Sequence, residues 1–215
     1  PHHLNSKVLL APMAGTSDKP FRIMCREQGA ALTTSEMVVL QKHLLNTNKS
    51  KHRLDFSSEK SPISIQIAGS EAEELAESAR QAVEFGADII DINMGCPAKK
   101  VCNKAAGSAL MKNEKLVKDI IKSVVNAVNI PVTLKIRTGW NEENKNAPTI
   151  AKIAEDFGIQ MLAIHGRTRA QMYKGDADWK PIEKVKNNPR MFIPVFGNGD
   201  VDSPEKALEM KNKYG

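Results

Sequence analysis

The sequence predicts a parallel α/β protein built as a (β/α)₈ barrel that stops before its eighth strand. Short apolar runs alternate with amphipathic helical segments along the whole chain, as in βαβ units around a parallel sheet. No glycine-rich dinucleotide fingerprint follows the first strand, which argues against a Rossmann fold. Seven strand–helix units fit into 215 residues, whereas barrels of this type usually need about 250 residues. The predicted fold is therefore an incomplete TIM barrel in a single domain.

The predicted elements follow one another in a regular order. Strands are expected at residues 7–11, 31–35, 62–68, 88–94, 131–137, 160–165 and 192–196. Helices are expected at residues 17–29, 39–45, 71–85, 116–128, 146–157, 181–186 and 204–213, with a long irregular connection at 46–60. Pro20 lies in the first turn of its helix, and Ser70 and Ser203 are the expected N-caps. Glycines 29, 86 and 158 follow helix ends.

Composition restricts the function classes only weakly. The net charge of +6 and the pI of about 9.2 favour a polyanionic partner, although the lysines and arginines are scattered. The three cysteines are irregularly spaced and form no CxxC pair, so we expect neither a disulfide framework nor a metal site. No membrane span or signal peptide is expected, and the default location is a reducing cytoplasm.

The stretch from residue 88 to residue 97 is the centre of the chain. It begins as a strand that is apolar on both faces, as buried parallel strands are, and breaks at Gly95 and Pro97 with Cys96 between them. Asp91 and Asn93 share one side of this strand because side chains alternate with period two. Two polar groups followed by a thiol in a sharp turn indicate a reaction site. One more buried cysteine is an equally good reading of this stretch alone.

The same alternation separates two faces on the other strands. The branched residues at positions 63, 65, 67, 132, 134, 136, 162 and 164 suit the helix layer, so the residues between them face the barrel interior. Gln66, Asn93, Lys135 and His165 lie near the carboxyl ends of their strands, where barrel active sites lie. The alternatives are a structural ion pair between Lys135 and a carboxylate such as Asp91, and hydrogen-bonded core filling for Gln66 and His165.

Three loops belong to the same end of the barrel. The first strand is followed by an irregular Pro-Met-Ala-Gly turn at residues 12–15. The loop at 197–200 places Asn198 between two glycines, which suits either backbone N–H groups around a phosphate or a simple turn. Arg167 and Arg169 follow His165 and either contact phosphate or remain solvated.

These motifs resemble those of one enzyme family, the tRNA-dihydrouridine synthases, in their bacterial type. They run in the family's order from residue 8 to residue 202 and are highly specific together. The Asn-Met-Gly-Cys-Pro run is the specific one by itself. The matching motifs are Ala11-Pro12-Met13-Ala14-Gly15 with Asp18 and Phe21-Arg22, Gln66-Ile67-Ala68-Gly69, Asp91-Ile92-Asn93-Met94-Gly95-Cys96-Pro97, Lys135-Ile136-Arg137-Thr138-Gly139, His165-Gly166-Arg167-Thr168-Arg169 and Asn198-Gly199-Asp200.

The resemblance implies a reaction and a set of residue roles. Members of the family bind FMN at the mouth of a TIM barrel, reduce it with NADPH (or NADH), and convert uridine in tRNA to dihydrouridine. Cys96 is then the proton donor, and Asn93, Arg137 and Arg167 contact the substrate. The expected FMN contacts are Pro12, Met13, Ala14, Gln66, Lys135, His165, Asn198, Gly199 and Asp200.

The chemistry suits these roles. A general acid must keep its proton at working pH, which a thiol with an ordinary pKa near 8.5 does. Lys135 would stabilise negative charge on the flavin. The target base must leave its stack to reach a barrel mouth, and the basic surface would hold the tRNA backbone.

The resemblance also sets an expectation about completeness. The family continues with an eighth strand and a helical tRNA-binding domain, so residues 1–215 are expected to be an incomplete FMN-binding catalytic domain, from a fragment or a degraded copy. Retention of FMN and binding of tRNA by this chain are then open, and a monomer is expected. The alternative functions are a small-molecule flavin oxidoreductase of the dihydroorotate dehydrogenase type and a non-catalytic RNA-binding remnant.

Overall fold

The computed structural model describes residues 2–40 and 53–215. These residues form seven strands, all close to their predicted places. The strands are β1 (Leu9–Leu10), β2 (Leu32–Thr33), β3 (Ser64–Ile67), β4 (Ile89–Met94), β5 (Val132–Arg137), β6 (Met161–His165) and β7 (Val195–Asn198).

Helices connect the strands in the order that a barrel requires. The described helices are α1 (Lys19–Glu27), α2 (Ala72–Glu84), α3 (Lys99–Cys102), α4 (Glu114–Ala127), α5 (Ala147–Asp156), α6 (Lys180–Lys186) and α7 (Pro204–Tyr214). Short 3₁₀ helices lie at Gly107–Lys112 and Glu142–Asn144. Within residues 2–40 and 53–215, no helix combines the length and the apolar character needed to cross a membrane.

The strands are parallel and lie side by side in chain order. β1 pairs with β2, and β3 to β7 form a five-stranded sheet. Two parallel bridges, Thr34 to Ser64 and Val38 to Ile67, extend the order from β2 to β3. This arrangement brings the carboxyl ends of all seven described strands to one edge, as in a barrel wall.

The alternation along the strands predicts the core correctly. The side chains of Ile65, Ile67, Leu134, Ile136 and Leu162 are fully buried. They form one apolar cluster with the inner faces of α2 and α4, which pack against each other. The polar residues between them point to the other face of the sheet, where the candidate site lies.

Two helix starts differ from the prediction. The helix expected from residue 17 begins at Lys19, and the carboxylate of Asp18 caps it by accepting the N–H of Phe21 at 3.1 Å. Ser70 does not cap α2, because Glu71 is the N-cap residue and no side chain caps that end. Ser203 caps α7 as predicted, and its hydroxyl accepts the N–H of Lys206 at 3.0 Å.

Two further elements differ or lie outside the described residues. β7 begins at Val195 rather than at Phe192, because the N–H groups of Phe192 and Ile193 donate to the Glu155 carboxylate and Pro194 has no N–H to offer to β6. Residues 41–52, which include most of the predicted helix at 39–45 and the first part of the connection at 46–60, lie outside the described residues. Residues 39 and 40 are not helical, and residues 54–60 are irregular as predicted.

Gly197 in β7 allows a close contact that positions the end of this strand. A Cβ atom at Gly197 would lie 2.0 Å from Cζ3 of Trp179. The Trp179 ring is 7% exposed and stacks on Tyr214 with ring centroids 5.8 Å apart. The indole can therefore pack against the strand only if residue 197 has no side chain.

We expect Gly197→Ala to lower the free energy of unfolding by about 1–3 kcal/mol, because the added methyl group displaces a packed ring. Urea denaturation followed by tryptophan fluorescence measures this change. Asn212→Ala, an exposed change on α7, should stay within about 0.5 kcal/mol of the parent. Equal stabilities of the two variants would show that the ring moves aside freely.

Candidate active site

The turn that carries Cys96 is held from two sides. Oδ1 of Asn93 accepts the N–H of Cys96 at 3.0 Å and that of Gly95 at 3.3 Å. The carbonyl oxygen of Cys96 accepts the hydroxyl of Ser108 at 2.8 Å, and the thiol of Cys102 donates to it at 3.6 Å. The thiol is thus attached to a backbone that is fixed at the carboxyl end of β4.

The environment of Cys96 keeps its thiol protonated. Burial raises the pKa of Cys96, and a hydrogen bond from the backbone N–H of Ala98 offsets only part of this shift. The structure describes all three cysteines, and each is a free thiol. A partly buried, protonated thiol can donate a proton at neutral pH, whereas a nucleophilic cysteine needs the thiolate form.

A chain of polar side chains crosses the interior beside this turn. Nε2 of Gln66 donates to Asp91 at 2.7 Å, and Nδ2 of Asn93 donates to Oε1 of Gln66 at 2.7 Å. The hydroxyl of Thr133 donates to the other Asp91 oxygen at 2.6 Å. The alternative of hydrogen-bonded interior polar groups is therefore observed for Gln66, and its predicted contact with FMN stays a prediction.

Lys135 is partly buried next to this chain. Its ammonium group donates to Oδ1 of Asn198 at 2.9 Å, and it takes part in none of the ion pairs formed by the described residues. The alternative of a direct ion pair with Asp91 is not what the structure shows. Burial lowers the pKa of Lys135 to about 8, while attraction by Asp91 acts in the opposite direction. Lys135 remains a cation at neutral pH with unused N–H donors.

Arg137 connects the Cys96 turn to the loop after β6. Its side chain is 2% exposed and donates to the carbonyl oxygens of Gly95 at 2.8 Å, Thr168 at 3.0 Å and Met172 at 2.8 Å. The predicted contact of Arg137 with the uracil stays a prediction, as does that of Asn93. Both side chains also have observed roles in holding the backbone of the site.

Arg167 and Asp200 form a second support. The guanidinium of Arg167 pairs with the Asp200 carboxylate at 2.7 Å and donates to the carbonyl oxygen of Gly175 at 2.6 Å. Asp200 also accepts the N–H of Ala177 at 2.6 Å and has a positive φ of 56°. This pair fixes the loop after β7 to the loop after β6, and the predicted ligand contacts of both residues remain predictions.

His165 lies among these cations as a neutral imidazole. Burial is the main cause that lowers its pKa to about 3, and the charges of Arg137, Lys135 and Arg167 lower it further. A Cβ atom at Gly199 would lie 3.0 Å from Cδ2 of His165, so the glycine allows the loop to approach the ring. His165 can therefore offer hydrogen bonds at neutral pH but no charge.

The loop after β1 is fixed by contacts of its own. The hydroxyl of Ser17 accepts the N–H of Met13 at 2.8 Å, and Arg22 donates to the carbonyl oxygen of Ser17 at 2.7 Å. Arg22 is 2% exposed and pairs with Glu59. Pro12, Met13 and Ala14 follow the carboxyl end of β1, so this support places them at the same edge of the sheet as Cys96.

Sequence reasoning did not assign two residues to the site. The period-two pattern places Thr133 on the inward face of β5 together with Lys135, but its hydrogen bond to Asp91 was not predicted. Tyr173 is 72% exposed, with its ring 6.3 Å from that of His165 and 5.4 Å from Cζ of Arg137. It lies in an irregular loop, where no periodic signal exists. Among the described residues, no group of three or more His, Cys, Asp or Glu side chains is arranged to hold a metal.

Direct contacts join most of the predicted site residues. Gln66, Asn93 and the Cys96 turn form one connected group, and Lys135 bonds to Asn198. A backbone bond from Gly166 to Asn198 at 2.9 Å joins the loops that follow β6 and β7. The arrangement offers a protonated thiol at Cys96 near the Arg137 guanidinium, with Lys135 on the neighbouring strand, which suits proton transfer next to a bound anion.

Curated relatives match this chain closely. It is 57% identical over 215 residues to a protein of Pseudomonas syringae pv. tomato named tRNA-dihydrouridine synthase B, and it covers 63% of that protein. It is 55% identical over 215 residues to the protein of the same name from Xanthomonas axonopodis pv. citri, of which it covers 64%. The chain thus spans less than two thirds of the length of these relatives.

Solved structures with low sequence identity share the fold. Inosine 5′-monophosphate dehydrogenase from Legionella pneumophila superposes with a TM-score of 0.59 at 15% identity, over 96% of this chain and 55% of that one. Phosphonopyruvate hydrolase gives 0.58 at 15% identity, over 90% of this chain and 68% of that one. With the parallel strand order, these neighbours confirm the predicted TIM barrel.

The profile of the dihydrouridine synthase (Dus) family matches residues 9–215, and the chain therefore belongs to the dihydrouridine synthase family.

Proposed function

We propose that this chain carries the chemistry of an FMN-dependent reduction of uridine to 5,6-dihydrouridine in tRNA, with NADPH (or NADH) as reductant and Cys96 as proton donor. It acts as a monomer in the cytoplasm. The observation that carries the proposal is a partly buried, protonated thiol on a turn at the end of β4 that Asn93 and Arg137 hold, with Lys135 on the neighbouring strand. The names of the relatives support the reaction class.

The residues at the site fit an anionic flavin nucleotide. Lys135 is a desolvated cation without a described ion-pair partner, and fixed cations in a water-poor site attract anions strongly. The neutral His165 offers hydrogen bonds without a charge of its own, and the loop at Gly199 packs against its ring. When bound, FMN supplies the hydride that one carbon of the uracil double bond accepts. Lys135, His165, Gln66 and the loops at 12–14 and 198–200 would hold it.

The chain supplies the matching proton. Because its pKa is raised, the Cys96 thiol is protonated before the reaction and can give its proton to the other carbon of the double bond. Water then restores the proton on the sulfur. Asn93 and Arg137 keep the turn in place by holding the backbone on both sides of Gly95.

A basic surface cluster supports RNA as the partner. The Lys112 ammonium lies 4.9 Å and the Arg169 guanidinium 4.6 Å from the centre of the Trp140 ring. These residues come from the segments that follow β4, β5 and β6, at the same edge as Cys96. Neither cation takes part in an ion pair described by the structure. Two cations beside one ring repel each other, and a phosphate group that binds between them would offset this repulsion.

Replacing Cys96 by Ala should lower the rate of uridine reduction in an unmodified tRNA transcript by about 10²–10⁴-fold, because the proton donor is lost. Reduction of bound FMN by NADPH should continue. Cys25→Ala, which removes another free thiol on α1, is the control and should react normally. Unchanged dihydrouridine formation in the Cys96 variant would exclude the assigned role, and turnover of a free pyrimidine without activity on tRNA would favour a small-molecule oxidoreductase.

FMN affinity should fall as the pH rises from 7 to 9. The pKa of Lys135 is lowered to about 8, so its charge is present below that pH and is lost above it. An anion that depends on this charge should bind up to about tenfold more weakly at pH 9. Titration of FMN fluorescence measures the dissociation constant. The dependence of the dissociation constant on pH should disappear in Lys135→Met. A dissociation constant that does not change with pH in the parent protein would show that the charge does not hold the cofactor.

The double variant Lys112→Ala, Arg169→Ala should bind an unmodified tRNA transcript more weakly. The slope of log binding constant against log salt concentration should become shallower by about 0.7–0.9 for each phosphate contact that is lost. Lys118→Ala is a control that removes one cation from the helix layer, where the Lys118 ammonium lies 5.0 Å from the Phe157 ring. If the control weakens binding as much per lost charge as the double variant, the effect is one of net charge and not of this cluster.

A further inference from the structure

Asp91 is a buried carboxylate that the proposed reaction does not use. It is 4% exposed and takes part in none of the described ion pairs. Burial raises the pKa of Asp91, and hydrogen bonds from Thr133 and Gln66 oppose that shift. A carboxylate is costly to remove from water unless its oxygens find donors. Its presence in the interior therefore needs a reason other than packing.

Neighbouring strands supply those donors. The Thr133 hydroxyl donates to Oδ1 at 2.6 Å, and Nε2 of Gln66 donates to Oδ2 at 2.7 Å. Gln66 on β3 and Thr133 on β5 are the register partners of Asp91 on β4. The carboxylate is thus fixed at the centre of three paired strands, and its position depends on no mobile loop.

The carboxylate determines which way the next two side-chain amides face. Both oxygens of the Asp91 carboxyl group accept hydrogen bonds in the structure, so the NH₂ end of Gln66 points towards it. Oε1 of Gln66 then faces Asn93 and accepts its Nδ2 at 2.7 Å. Oδ1 of Asn93 is left to face the turn, where it accepts the N–H groups of Gly95 and Cys96. Each orientation follows from the previous one, and the first follows from Asp91.

We propose that Asp91 is a positioning residue for the Cys96 thiol, acting through Gln66 and Asn93 on the two N–H groups of the turn. The effect of Asp91 on the reaction rests on the proposed function, in which the Cys96 thiol must reach a carbon of the uracil. Displacements of about 1 Å can slow an enzymatic step about a hundredfold. Without an acceptor-only group, both amides can rotate and present NH₂ groups to the N–H groups of the turn.

Two other roles for Asp91 make different predictions. If Asp91 mainly stabilises the fold, any loss of its hydrogen bonds should loosen the whole barrel equally. If it mainly balances the charge of Lys135, its removal should alter cofactor binding and reduction as much as proton transfer. Only a positioning role confines the effect to the turn at residues 95 and 96 and to the step that uses the thiol.

The decisive comparison is between Asp91→Asn and Thr133→Val. Asp91→Asn keeps the size of the side chain but replaces the acceptor-only group by an amide that can face Gln66 either way. Thr133→Val removes the other hydrogen bond of the same carboxylate and leaves the bond to Gln66 intact. Thr133→Val is therefore a matched control that lowers the stability of the fold but leaves the orientation of the Gln66 amide unchanged.

The first measurement is hydrogen exchange of the Cys96 backbone N–H in the protein without substrate, with the strand amides of β5 as internal reference. We expect exchange at Cys96 to be about five- to tenfold faster in Asp91→Asn, because one hydrogen bond is weakened. The ratio to the reference should be unchanged in Thr133→Val. Equal ratios in both variants would assign Asp91 to general stability and overturn the proposal.

The second measurement separates the two half-reactions of the FMN-loaded protein. In Asp91→Asn, we expect oxidation by an unmodified tRNA transcript to be at least about tenfold slower, with reduction by NADPH changed by less than about twofold. Equal slowing of both steps would indicate a charge effect on Lys135 and overturn the proposal. If the parent protein reduces no uridine, the proposed function fails, while the exchange ratio at Cys96 still tests the positioning by Asp91.

Discussion

The register between β3, β4 and β5 is the constraint on which the site depends. It places Gln66 beside Asp91, Asp91 beside Thr133, and Asn93 beside Lys135. Because the period along a strand is two, a slip of one residue would turn all of these groups into the helix layer. The fully buried isoleucines and leucines between them prevent such a slip, since they would have to leave the core. Apolar packing on one face of the sheet thus fixes the positions of the polar side chains on the other face.

The loops add a second level of order, and backbone carbonyl groups provide most of it. Arg137 and Arg167 each use a guanidinium to hold carbonyl oxygens of the loops at the barrel mouth. A planar group with five donors can fix several loop segments at once, which a lysine cannot do. The same two residues place positive charge at this end of the sheet. Loop support and positive charge are therefore supplied by the same side chains.

Alternation and breaker residues predict much of this arrangement, but not all of it. They place Gln66, Asn93 and Lys135 on one face and Cys96 in a turn, because these depend on local periodicity. They do not predict that Glu71 replaces Ser70 at the start of α2. They also miss the late start of β7, because it depends on Glu155 of α5, whose carboxylate accepts the N–H groups of Phe192 and Ile193. Tyr173 is missed for the same reason, since its neighbours are distant in the chain.

Exclusion of water explains why the thiol of Cys96 stays protonated at neutral pH, whereas the imidazole of His165 does not gain a second proton. Burial disfavours whichever form of a group is charged. It therefore raises the pKa of Cys96, so the thiol keeps its proton, and lowers that of His165 to about 3, so the ring stays neutral with a single N–H. Lys135 loses part of its basicity in the same way, yet with a pKa of about 8 it stays charged at neutral pH and donates to Asn198. One physical cause thus produces a neutral acid, a neutral hydrogen-bonding ring and a fixed cation within a single interior.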